Sequence, residues 1–281
     1  MPKSIELKDV HFSYSRGTPV HVLKGASLSV KKGEFVGIIG GTGQGKTTLL
    51  LCFNGLIPHF VKGDFKGDVF VDGINSKHSS VSELSSKVGL VFQKPDDQIF
   101  SLEVEDEIKF GPKNLGLSEE EVDKRFDEAV QLVGIESLVD KETNSLSAGQ
   151  KQLVCIASVL SMEPEVIVLD EPTAELDFQN SRRVYSVLKE LHERGKTVVV
   201  VEHKMKFISS VAERMMIIND GKIIADGDPG KIFSDVDFLS EIGIAPPTIR
   251  LLESRLNKEG MGFSFSNIEE AVEEIKKRCS K

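Results

Sequence analysis

Residues 35–39, 88–93, 166–169, 198–201 and 215–218 are short apolar runs of strand length. Between and around them lie stretches whose apolar positions return at helical spacing. Residues 119–133 carry Val122, Phe126, Ala129, Val130 and Val133 on one face, with Ser118 placed as N-cap. Residues 47–54 and 179–194 also read as helices, the second stopped by Gly195. Alternating strand and helix predicts a mainly parallel sheet covered on both faces. The front of the chain differs. Residues 5–10 and 22–30, the latter with alternating Leu28 and Val30, predict an antiparallel edge sheet closed by the turn at 31–34. Residues 67–72 add another short strand before the Asp72-Gly73 turn. Residues 103–160 turn helical and interrupt the strands, which predicts an inserted helical subdomain. After Pro229 the pattern changes again: Pro246-Pro247 opens one short amphipathic helix, and Ser266-Asn267-Ile268-Glu269 caps another.

Composition narrows this without redirecting it. A chain of 281 residues, 40% hydrophobic, fits one large α/β domain with an insertion and a small C-terminal appendage. A net charge of −9 and the lack of a basic stripe argue against a nucleic-acid binder. Cys52, Cys155 and Cys279 are scattered, without metal-type spacing, and read as free thiols in a reducing compartment. No apolar run approaches the roughly 18 residues of a membrane helix, and Met1-Pro2-Lys3-Ser4 lacks a signal-peptide core. The expectation is a chain soluble by itself, so that any membrane role must come through a partner.

The chemistry enters with two motifs. Gly40-Gly41-Thr42-Gly43-Gln44-Gly45-Lys46-Thr47, between an apolar run and a helix, reads as a phosphate-binding loop. Its glycines let backbone N–H groups turn onto phosphate oxygens, and the helix N-terminus adds partial positive charge. Lys46 is expected to reach the β- and γ-phosphates, Thr47 to ligate Mg²⁺, and Thr48 to complete the ATP-binding stretch. The second motif is Leu146-Ser147-Ala148-Gly149-Gln150, shortly ahead of Asp170-Glu171 at the end of an apolar run. An acidic pair at a strand end is common, but beside a phosphate-binding loop it suits metal ligation and proton acceptance. No Asn-Lys-x-Asp motif points to a GTPase.

This order of motifs, over roughly residues 3–230, resembles the ATPase subunits of ATP-binding-cassette (ABC) transporters. Within them, residues 91–100 and the Pro246-Pro247 tail are similar to the energy-coupling-factor importers of vitamins and metal ions. The resemblance implies a P-loop NTPase with an N-terminal antiparallel β-subdomain, a helical subdomain at about 94–160, and a C-terminal helical extension at 231–281 that supports a dimer. It assigns Glu171 as general base, Asp170 and Gln93 with Thr47 to Mg²⁺, and His203 to the γ-phosphate. Tyr14 falls where the family stacks an aromatic on adenine, although packing alone would also explain an aromatic there. Ser147, Gly149 and Gln150 are expected to complete the site of a second subunit, with Asp177 at the seam between subunits. The partners implied are a second, identical or different ATPase, a transmembrane coupling subunit and a membrane substrate-binding subunit, with this chain on the cytoplasmic face of the membrane. Ala148, Glu175 and Lys204 depart from the usual family residues, none removing a group that the chemistry needs. Asp96, Asp97, Glu103, Glu105, Asp106 and Glu107 fit either a solvated face or an acidic groove for the membrane partner. The stripe Ile268, Val272, Ile275 fits either packing on its own domain or a subunit contact. A conventional ABC transporter ATPase and a soluble cassette ATPase remain open as alternatives.

Overall fold

The computed structural model describes residues 2–15, 20–203, 205–265 and 268–279, without the side chains of residues 206, 207 and 279. Ten strands form two sheets. β1 (Lys3–Tyr14) and β2 (Val20–Lys31) precede the first buried strand, β3 (Phe35–Ile39). β4 (Gly63–Val71), β5 (Ile74–Asn75) and β6 (Val88–Val91) follow, then β7 (Val166–Asp170), β8 (Thr197–Val201), β9 (Arg214–Asn219) and β10 (Lys222–Gly227). The smaller sheet runs β2-β1-β4-β5 and is antiparallel, with Leu7 opposite both Leu28 and Val69. The larger runs β10-β9-β3-β8-β7-β6; only its β10–β9 edge is antiparallel. The mixed α/β arrangement expected from the alternation is therefore present, and of the strand expected at 67–72, residues 67–71 belong to the antiparallel sheet as the end of β4, with Asp72 already in the turn that follows.

β3, β6, β7 and β8 are buried at every position, which is why their sequences are apolar without a polar alternate. Their side chains divide between two cores. Phe35, Ile167, Leu169, Val198 and Val200 face the helices Val104–Asn114, Glu119–Val133, Ala148–Leu160 and Phe178–Glu193. Val36, Ile38, Val168 and Val199 face the helix Lys46–Phe53 and the inner side of the antiparallel sheet. The sheet thus sits between two apolar layers, and the loops at the carboxyl ends of β3, β7 and β8 converge on one edge.

Ser118 caps its helix by accepting from Glu121 N at 3.3 Å, and Gly134 ends that helix at φ +65°. Gly195, at φ +88°, follows the helix Phe178–Glu193 as its residue type predicts. Toward the C-terminus, Phe233, Leu239 and Ile244 join the main core, whereas Phe263, Phe265 and Ala271 build a separate small core with Ile249, Leu256 and Ile275. The helix Thr248–Lys258 begins directly after Pro246-Pro247, and a last helix spans Ile268–Cys279. Its cap, expected at Ser266-Asn267, lies outside the described residues, as do Lys204 and Met1. Of the apolar stripe on that helix, Ile275 packs inward while Ile268 is 63% exposed and Val272 44%.

Candidate active site

The loop after β3 turns through Gly43 (φ +77°) and Gly45 (φ +100°), a region where a Cβ is strained, and delivers Lys46 to the first position of its helix. Gly40 is needed for another reason: a Cβ there would stand 2.4 Å from the Ile218 carbonyl oxygen of β9. The Gln44 side chain accepts from Asp220 N in the β9–β10 turn and pins the loop from below, while Gly41, Thr42, Gly43 and Thr47 face outward at least in part. The Lys46 side chain is buried, with Nζ donating to the carbonyls of Gly40 (3.0 Å) and Gly41 (2.9 Å). Burial lowers the Lys46 pKa, opposed by the Glu171 and Asp170 carboxylates. Thr48 is buried, its hydroxyl 3.0 Å from Tyr14 Oη. Tyr14 is the last residue of β1, and its ring lies edge-on to Phe12 at 4.9 Å.

Five further groups meet in front of Lys46. The Thr47 hydroxyl donates to Asp170 Oδ2 at 2.6 Å. Glu171 Oε1 lies 3.9 Å from Lys46 Nζ and 2.9 Å from His203 Nε2, and its Oε2 accepts from Gln93 Nε2 at 2.8 Å. Glu171 adopts φ +48°, rare for a residue with a side chain, and is held there by its N–H bond to Val201 O at 2.9 Å. Burial raises the Asp170 pKa, as does Glu171, while the Thr47 bond, Lys46 and His203 pull it down. A hydroxyl and a carboxylate at bonding distance beside an amide oxygen donor suit Mg²⁺, a hard cation that completes its octahedron with water and phosphate oxygens. The structure therefore gathers Gln93, Lys46, Thr47, Asp170, Glu171 and His203 into one network.

Ser147, Gly149, Gln150 and Asp177 stand apart from that network. Ser147 is exposed and caps the helix Ala148–Leu160: its hydroxyl accepts from Gln150 N, and Gln150 Oε1 accepts from Ser147 N at 3.0 Å. A Cβ on Gly149 would lie 3.3 Å from the Glu175 carbonyl, so this loop rests on the segment after Glu171. Asp177, also exposed, caps the helix Phe178–Glu193 through Asn180 N at 2.8 Å. The neighbouring Lys151 binds Asp96 Oδ1 at 2.6 Å and Gln152 Nε2 donates to Phe92 O at 3.3 Å, linking this helix to the loop that carries Gln93.

The acidic stretch is not one continuous face. Glu107 is 2% exposed and accepts from the backbone N–H groups of Phe100 and Ser101, so it serves the fold and no surface. Asp96, Glu105 and Asp106 are paired with Lys151, Lys109 and Lys113. Sequence reasoning also missed Glu202, a buried carboxylate next to His203; a charged residue closing an apolar strand was its only signal.

The ABC transporter family model matches residues 23–174. The chain is 40% identical over 283 residues to the energy-coupling factor transporter ATP-binding protein EcfA of Methanocaldococcus jannaschii, which spans 98% of this chain and 99% of that one. It is similar in structure to cbiO1 of Clostridium perfringens, described as part of the ABC transporter complex cbiONQ, with TM-score 0.73, 35% identity, and coverage of 90% of this chain and 100% of that one. The dimeric ATP-binding cassette MJ0796, solved in a post-hydrolysis state with ADP and Pi, matches with TM-score 0.72 and 32% identity over 80% of this chain and 98% of that one. A phosphate-binding loop facing a strand-end acidic pair, in a chain matched by the family model over more than half its length and by a relative almost end to end, makes this protein a member of the ABC transporter family, an ATP-binding cassette that hydrolyses ATP.

Proposed function

We propose that this chain is the ATP-hydrolysing subunit of an energy-coupling-factor type importer that takes up a micronutrient, a vitamin or a metal ion. The observation that carries the reading is the near-complete overlap with the Methanocaldococcus jannaschii protein, which extends through the helices after residue 230 where cassette ATPases have no common chemistry to share. Residues 3–230 are the nucleotide-binding domain, with a helical subdomain at about 94–160, and residues 231–281 an extension that supports pairing through exposed Ile268 and Val272. The partners are a second cassette ATPase, a transmembrane coupling subunit and a membrane substrate-binding subunit. No helix among the described residues is long and apolar enough to cross a membrane, so attachment to the cytoplasmic face runs through those subunits.

In this reading the 40–48 loop holds the phosphates, with Lys46 moving from its glycine carbonyls to the β- and γ-oxygens and Tyr14 contacting adenine. Glu171 accepts the proton of the attacking water, Gln93 orients that water, and His203 bonds the γ-phosphate. Thr47, Asp170 and Gln93 would hold Mg²⁺, which when bound supplies neutralisation of phosphate charge. These groups reach the γ-phosphoryl from one side only. Ser147, Gly149 and Gln150, at an exposed helix N-terminus, cap the other side in a second subunit, and Asp177 lies at that seam. ATP thereby glues two subunits and hydrolysis parts them, which is the stroke passed to the membrane subunits. Purification from membranes tests the assignment. Recovery with a small substrate-binding membrane protein plus a separate coupling protein supports it; recovery with a permease dimer and an extracytoplasmic binding protein replaces it with a conventional transporter.

A further inference from the structure

Glu202 sits at the carboxyl end of β8 between Val201 and His203, and is 1% exposed. A carboxylate so buried costs the fold several kcal/mol unless its oxygens are satisfied. Each oxygen here serves a different segment. Oε1 accepts from the buried hydroxyl of Thr173, two residues after Glu171, and Oε2 accepts from the backbone N–H of His203 at 2.9 Å. The Tyr185 phenol, on the helix Phe178–Glu193, faces the same carboxylate, and burial beside that charge pushes its pKa up. The Glu202 backbone N–H in turn bonds Ile38 O at 3.3 Å, tying the arrangement to β3 and the loop that follows it.

The two segments that Glu202 bridges are those that bear the reacting pair. His203 Nε2 and Glu171 Oε1 stand 2.9 Å apart, yet the His203 side chain is 43% exposed and Glu171 holds a strained positive φ. We propose that Glu202 is a positioning residue for hydrolysis: its two oxygens lock the Glu171–Thr173 segment to the backbone of His203 and so set the distance between base and histidine. The inference rests on the roles given above to Glu171 and His203. A glutamine in this place has one acceptor and one donor. Its oxygen can serve His203 N and its amide can donate to the Thr173 hydroxyl, which also accepts, so glutamine keeps both links and removes only the charge. Leucine removes both links, and aspartate is too short to span the two segments.

The test is a double-mutant cycle on the full chain, reading kcat and KM for ATP together with the thermal midpoint. Glu202→Leu is expected to lower kcat roughly 10- to 100-fold, with KM within about twofold, the range seen when a group orienting a reacting side chain is lost, whereas Glu202→Gln, which keeps both links, should stay within about threefold of wild type. Thr173→Val, which keeps the shape and deletes the hydroxyl, should reproduce part of the Glu202→Leu loss and not add to it. In a His203→Ala background, Glu202→Leu should cost nothing further, an outcome that a general loss of stability would not produce. A slow His203→Ala chain that Glu202→Leu slows again by its full factor overturns this inference alone, as does wild-type kcat in both Glu202→Leu and Thr173→Val. A wild-type rate in His203→Ala itself overturns the underlying assignment of His203, and the inference falls with it.

Discussion

The network around Lys46 and the loop around Ser147 handle polar groups in opposite ways. On the first side, Lys46 bonds two carbonyls, Thr47 bonds Asp170, and Glu171 binds Gln93 and His203, so nearly every reacting group is held by another. On the second, the Ser147 and Gln150 side chains bond each other's backbone N–H across the cap of their helix, and Ser147 is exposed. Groups that act within their own chain can be braced before ligand arrives, which lowers the reorganisation needed at the reaction. Groups that serve another molecule, the role proposed for Ser147 and Gln150, must stay exposed, and here the helix cap holds their geometry instead. The two sides are joined within the chain by Lys151–Asp96 and Gln152–Phe92, so movement of one is felt by the other.

The sharpest way to break this contrast is to remove the base from the braced side. Glu171→Gln is expected to lower turnover roughly 100- to 10,000-fold while ATP still binds, and size-exclusion chromatography with ATP should show an accumulating dimer; near-normal turnover would take Glu171 out of the reaction. Lys46→Ala should weaken ATP affinity roughly 10- to 100-fold, the worth of charge-assisted bonds to phosphate, measured by fluorescent-nucleotide titration. Ser147→Ala should leave single-chain ATP affinity unchanged, lower turnover about 10-fold, and lower stability by about 1 kcal/mol through the lost cap. Mixing Lys46→Ala with Ser147→Ala should then raise activity above that of either alone, because the mixed pair holds one intact composite site. Failure of that mixture to recover activity, with pairing demonstrated, would place the signature outside the reaction.

The smallest expected effect concerns stability and pH. Burial raises the Asp170 pKa, with Glu171 adding to it, so the folded chain favours the neutral acid. The stabilising contribution of this group is full below the unfolded value and is lost as pH rises through the folded one. Asp170→Asn should therefore melt a few degrees above wild type at about pH 8, with the difference fading toward about pH 4, while its activity is lost. A wild type that outlasts the variant at high pH contradicts this sign.

Much of the molecule was legible from local pattern. The buried strands show themselves because a sheet covered on both faces leaves no room for polar alternates, and Ser118 and Gly195 mark helix ends by their own hydrogen-bonding and φ preferences. The phosphate-binding loop is legible because φ demands at Gly43 and Gly45 leave a glycine signature. Other features were not. β10 alternates half-buried and exposed positions too weakly to be read, and the pairing of residues 68–71 with β1 is a contact between segments far apart in sequence. Glu107 resembled its acidic neighbours, and only the backbone of Phe100 and Ser101 around it shows why it is buried.

The residue order alone determined which chemical groups this protein carries and that they belong to an ATP-hydrolysing cassette, because phosphate binding needs a contiguous loop whose glycines and lysine keep fixed spacing. Tertiary structure decided which of those groups meet. Gln93, Glu171 and His203 come from three separate strands' ends, and their convergence, like the Glu202 bridge behind it, exists only once β6, β7 and β8 lie side by side.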